Sequence, residues 1–188
     1  MDRPAAKARH SEPAQRGEGP VSSQRDGSFA ALRASGAAPA QDDSGALLIP
    51  VQGVVASDLR DTFTQARSGG RVHDAIDILA PRGTPVLAAV DGTIRKLFLS
   101  RAGGLTIYEF DAAQRRVYYY AHLDRYADIR EGDAIRRGAV IGYVGTTGNA
   151  PPQTPHLHFA IEDLPPTKEW WKGSAVNPYP LLTASKFH

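Results

Sequence analysis

Four of the six histidines in this chain sit at spacings that chemistry can use. His73 and Asp77 form His-x3-Asp within Arg71-Val72-His73-Asp74-Ala75-Ile76-Asp77-Ile78, directly after Gly69-Gly70 and before the turn Pro81-Arg82-Gly83. His156 and His158 form His-x-His in Pro155-His156-Leu157-His158-Phe159-Ala160-Ile161, and His122 follows Tyr118-Tyr119-Tyr120-Ala121. His10 and His188 lie in or beside the tails. Zinc favours neutral imidazole and carboxylate oxygen, and a catalytic zinc keeps three protein ligands with a fourth position open. If three ligands are drawn from His73, Asp77, His122, His156 and His158, two groups remain for proton transfer or oxyanion stabilisation. That is the complement of a hydrolase, whereas a purely structural zinc site has no use for the spare pair. His-Glu-x-x-His is absent, which excludes the common helical metalloprotease arrangement. The absence of cysteine excludes thiolate zinc sites, disulfides and cysteine nucleophiles together.

The elements that must position these residues read as strands. In Pro155 to Ile161 the alternation puts both imidazoles on one face, about 6.5 to 7 Å apart at Cα, with Leu157, Phe159 and Ile161 toward the core. The same alternation predicts Tyr118, Tyr120 and His122 on one side of their strand, and Ala121 and Leu123 on the other. Glycines and proline around His73 and Asp77 predict a loop entering a strand rather than a helix. Pro85 to Val90, Asp91-Gly92 and Thr93 to Leu97 read as a hairpin. Leu105 to Phe110 and Val117 to Leu123 should pair antiparallel, and Ala139 to Val144 and His156 to Ile161 complete the set. The best helical periodicity is a short stretch around Ala56 to Ala66. The expectation from these patterns is a mainly β, antiparallel domain with several Gly-rich corners.

Length and composition bound the rest. A chain of 188 residues holds one sizeable core. Beyond Met1, residues 1–45 carry only Val21, Phe29 and Leu32 as large apolar residues and read as a low-complexity, disordered tail or linker. Residues 46–188 read as the ordered domain that carries the five candidate zinc and catalytic residues. A net charge of +2 gives no argument for nucleic acid. No apolar run approaches the length of a membrane span, and the N-terminus lacks the apolar stretch of a secretory signal.

Several motifs agree on one family. The His-x3-Asp run, Ala80-Pro81-Arg82-Gly83-Thr84-Pro85-Val86, Ala89-Val90-Asp91-Gly92, Tyr120-Ala121-His122-Leu123, Glu131-Gly132-Asp133 with Gly138 to Gly142, and Pro155-His156-Leu157-His158-Phe159 resemble the lysostaphin-type (LytM-like) zinc endopeptidases. Order and spacing match from about Arg71 to Glu162. The resemblance implies one Zn²⁺ held by His73, Asp77 and His158, with His122 and His156 as the unligated catalytic pair. It implies a mainly β fold, a two-sheet antiparallel β sandwich with Gly-rich loops around a zinc cleft, and the stem or cross-link peptides of bacterial peptidoglycan as substrate. A location in the bacterial envelope or periplasm follows from that substrate, and the chain is expected to be a monomer. Ala75 stands where the family commonly has glycine, so the turn there is expected to be preserved at some strain. Trp170-Trp171 and Asn177-Pro178-Tyr179-Pro180 are expected to pack a C-terminal segment against the sheet.

Two other readings compete. A non-catalytic member of the fold would bind cell wall or activate another hydrolase, but such relatives lack some of these ligands, and this chain keeps all five positions. A biotinyl or lipoyl carrier is suggested by Arg130 to Ile141. It would need a lysine at a hairpin tip, and none of Lys7, Lys96, Lys168, Lys172 and Lys186 is placed in one.

Overall fold

The structure, a computed structural model, describes residues 47–184. The tail read over residues 1–45 lies outside them, as does His188. A short ribbon comes first: β1 (Ala66–Arg67) and β2 (Arg71–Val72) pair antiparallel across a turn in which Gly69 and Gly70 take φ of 75° and 71°. Glycine has no Cβ to clash there, which is why two of them in a row make this tight reversal.

The other nine strands are joined in one antiparallel hydrogen-bonded system. They are β3 (Ile76–Leu79), β4 (Pro85–Leu87), β5 (Gly92–Ser100), β6 (Gly104–Asp111), β7 (Arg116–Tyr126), β8 (Ala134–Ile135), β9 (Val140–Val144), β10 (His156–Asp163) and β11 (Ser174–Val176). The main path runs β11-β10-β7-β6-β5-β8, with β3 beside the first half of β10. β7 belongs to two sets of neighbours. Its first half, Arg116 to Ala121, pairs with β10, and its second half, Leu123 to Tyr126, pairs with β9, which in turn carries β4. The mainly β antiparallel architecture read from the sequence is the one the chain forms, with β7 common to both arms.

Alternation does the packing. Leu157, Phe159 and Ile161 of β10 are fully buried, beside Val86, Ile94, Ile107, Tyr120, Leu123, Ile141 and Val144. Taking each such side chain out of water contributes about 1.5–3 kcal/mol, so the opposite, polar face of β10 can be used for chemistry at little cost to the fold.

Three local expectations need correcting. Asp91-Gly92 is not a hairpin turn, because β4 pairs with β9 while β5 pairs with β6 and β8. After Leu87 the chain leaves the strand. Ala88 exchanges backbone hydrogen bonds with Gly138 and Ala139, and the Asp91 carboxylate accepts the Arg137 N–H at 2.7 Å. Those partners lie beyond the reach of a short-range pattern. The helical stretch around Ala56 to Ala66 is a single 3₁₀ turn, Ala56–Asp58, where the Asp58 carboxylate accepts the Val55 N–H. The α-helix among the described residues is α1 (Pro178–Thr183), started by Asn177, whose Oδ1 accepts the Tyr179 N–H at 2.9 Å. Ala75, finally, carries no unusual φ. Asp74 takes the left-handed value, 56°, and Ala75 is completely buried.

Candidate metal centre and its flanking histidines

The segment Thr62 to Arg67 runs alongside the chain that enters β3. Its pairing with β2 is continued by His73 N–H to Gln65 O and Asp74 N–H to Phe63 O. Thr62 sits at the end of this ladder and serves two residues. Its carbonyl is 3.0 Å from His73 Nδ1, and its hydroxyl accepts the Asp77 N–H. A carbonyl can only accept, so the His73 ring carries its proton on Nδ1 and presents a lone pair at Nε2.

That lone pair meets two others. His73 Nε2 lies 3.0 Å from His158 Nδ1 and 3.0 Å from Asp77 Oδ1, and the latter two atoms are 3.2 Å apart. Register explains the third side, since His158 of β10 is directly opposite Asp77 of β3. Four ligands around zinc at about 2.0–2.1 Å put donor atoms about 3.3 Å from one another, so this triangle fits a tetrahedral ion. A third oxygen contact sits outside the triangle, where Asp77 Oδ2 accepts from Arg67 at 2.6 Å.

His122 and His156 flank the triangle. Their ring centroids are 5.0 Å apart, and His122 is 5.7 Å from the His158 ring. Each has Nδ1 on a backbone carbonyl, Thr147 O for His122 and Thr154 O for His156, both at 2.8 Å. Both rings therefore present Nε2, and His156 Nε2 is 3.8 Å from Asp77 Oδ1.

His122 reaches this place by breaking the alternation. Tyr118 and Tyr120 belong to the core with Leu123, so the expectation that His122 shares their side is wrong. Between Leu105/Leu123 and Ile107/Tyr120, β7 uses one more residue than β6, which is a bulge. His122 takes φ 62° inside it and gives its N–H to Gly103 O at 2.7 Å. A non-glycine residue held there costs on the order of 1–3 kcal/mol, and the surroundings must over-determine it. Thr147 does so, donating its hydroxyl to Leu123 O, accepting the Leu105 N–H, and receiving His122 Nδ1 on its carbonyl.

The electrostatics suit neutral rings around a charged carboxylate. Burial alone would raise the Asp77 carboxyl, but hydrogen bonds and charge from His158 and His73 hold it well below the usual carboxylate range. Burial pushes His158 down, with Asp77 opposing. Burial likewise pushes His122 down to about 4, only partly offset by its bond to Thr147. His122 is thus a free base at neutral pH.

All five residues singled out in the sequence come together here. Those missed are the ones that orient them, Thr62, Arg67, Thr147 and Thr154. Three act through backbone carbonyls, which no side-chain pattern signals. Farther along the same face, Trp170 packs on Tyr108 and Phe98, and Tyr119 meets His158 edge-on at 5.9 Å, so the expected packing of the C-terminal segment on the sheet is present.

Residues 71–178 match peptidase family M23. The chain belongs to that family. Among curated relatives, an L-Ala–D-Glu endopeptidase of Bacillus subtilis (strain 168) is 35% identical over 133 residues, 66% of this chain and 39% of its own length. The DD-carboxypeptidase/endopeptidase Mpg of Neisseria meningitidis serogroup B is 42% identical over 90 residues, 47% of this chain and 20% of its own. The chain thus spans well under half the length of these relatives. The catalytic domain of lysostaphin from Staphylococcus simulans superposes with a TM-score of 0.53 at 30% identity, covering 62% of this chain and 83% of that one. The M23 match begins at Arg71, so Thr62 and Arg67 lie ahead of it.

Proposed function

We propose that this chain is a zinc-dependent endopeptidase that hydrolyses peptide bonds in the stem or cross-link peptides of bacterial peptidoglycan, acting as a monomer in the cell envelope or periplasm. The observation that carries the reading is the triangle of His73 Nε2, Asp77 Oδ1 and His158 Nδ1, with two further imidazoles aimed at it by backbone carbonyls. Substrate and location rest on the similarity to cell-wall endopeptidases. Among the described residues no helix is long and apolar enough to cross a membrane.

In this reading His73, Asp77 and His158 hold the ion. When bound, zinc supplies a Lewis acid that polarises the scissile carbonyl and acidifies water. The chain's own residues do the proton work. With Nδ1–H committed to a carbonyl, a neutral His122 or His156 has only a lone pair at Nε2, so it first accepts a proton from the attacking water. The resulting imidazolium donates from the same Nε2, to the leaving amine or to the developing oxyanion. With the ring centroids 5.0 Å apart, only the ring that has taken the water proton can donate, and the other remains an acceptor.

The test is release of new amino groups from purified peptidoglycan by metal-loaded protein, beside a chelated control and His122→Ala. Release by the loaded wild type alone is expected, and the freed amine names the bond. No release despite a full complement of bound zinc would sink the enzymatic reading in favour of cell-wall binding.

A further inference from the structure

Asp77 has two oxygens, and the fold treats them differently. Oδ1 faces His73 and His158, while Oδ2 is held at 2.6 Å by Arg67 Nη2. The two side chains are 38% and 21% exposed, so this charge-assisted bond is partly shielded from water. Arg67 is placed by the ribbon. Its Cα partner is Arg71, the turn between them is the Gly69-Gly70 reversal, and the same strand of chain leads straight into His73. One hairpin therefore supplies both a member of the triangle and the group that restrains another member.

We infer that Arg67 is a positioning residue that holds Asp77 as a one-oxygen ligand, leaving a coordination position open for water and substrate. The inference rests on the reading that His73, Asp77 and His158 bind a divalent metal. A carboxylate free to rotate about its last bond can chelate an ion through both oxygens, which fills the position that catalysis needs. Arg67 prevents that rotation by keeping Oδ2 engaged. Its positive charge also offsets part of the negative charge that Asp77 brings, leaving the ion the stronger electrophile. The Asp77 backbone is already fixed by Thr62 Oγ1, so the side-chain rotation is the freedom that Arg67 removes.

Cobalt(II) reports this without any substrate, because its visible absorption is several-fold stronger in four-coordinate than in five- or six-coordinate sites. The apo protein, Arg67→Met, Arg67→Ala and Arg67→Lys would each be titrated with cobalt, and each apo form melted in parallel. Met keeps most of the apolar stem, so it guards against loss of packing in the ribbon. The expected result is an intense spectrum for wild type and Arg67→Lys, and a several-fold weaker one for the Met and Ala variants with unchanged apo melting. Identical spectra for wild type and Arg67→Met at full occupancy would overturn the inference while leaving the metal centre intact. Failure of the wild type itself to bind cobalt or zinc would overturn the metal reading beneath it.

Discussion

His122 and His156 stand edge-on with ring centroids 5.0 Å apart, each turned by a 2.8 Å bond from Nδ1 to a loop carbonyl. The two carbonyls, of Thr147 and Thr154, belong to the same connection between β9 and β10, so one loop aims both rings. The triangle beside them takes no donor atom from that loop, and its His73 is oriented by Thr62 instead. The proposed metal binding and the proposed proton transfer are therefore separable by substitution.

His122→Ala should keep its zinc and lose about 10²–10⁴-fold in turnover, the range of a general acid or base. Asp77→Ala should lose the metal. Metal analysis after gel filtration, together with amine release, checks both, and equal metal loss from the two variants would mean that the ligands are wrongly assigned.

Zinc should also stabilise the fold. A ligand that binds only the native state at about a thousand times its Kd adds about 4 kcal/mol. Thermal melting with zinc and with chelator should differ accordingly in wild type. In Asp77→Ala the difference should vanish.

Gly104→Ala should damage the proton-transfer site and spare the metal. Gly104 has φ 66°, and a Cβ there would overlap Thr147 and the Gly148 amide. Thr147 is what holds His122 in its left-handed conformation. A displacement of about 1 Å at a catalytic group costs on the order of 10²-fold in rate. Retained zinc with reduced kcat is the expected pair of results.

Glu109 gives the fold a pH dependence of its own. It is fully buried on β6, accepts the Tyr120 hydroxyl at 2.5 Å through Oε2, and its Oε1 has no hydrogen-bond partner among the described residues. Burial raises its pKa to about 8, against the lowering by Tyr120. A folded-state value above the unfolded one means that the native protein holds the proton more tightly. The resulting stability is full below about pH 4.5 and is lost as pH rises through 8. Glu109→Gln should therefore lose less stability than wild type between pH 5 and 9, by on the order of a few kcal/mol. Parallel denaturation curves across that range would show that Glu109 does not titrate as argued.

The sequence alone singled out the five residues that meet at this site, the strands that carry most of them, and the inward set Leu157, Phe159 and Ile161. It could do so because strand alternation and side-chain chemistry are local properties, written in neighbouring letters. Tertiary structure decided what depends on distant partners. β4 chose β9 over the nearby β5, since Ala88 found Gly138 and Ala139. His122 left the core side of its strand through a bulge that exists only because β6 and β7 differ there by one residue. Arg67 reached Asp77 across ten positions through a glycine turn, and Thr62, Thr147 and Thr154 fixed three rings with carbonyls that every residue type possesses. A backbone acceptor carries no signature in the amino-acid code, so its role appears only when the chain has folded around it.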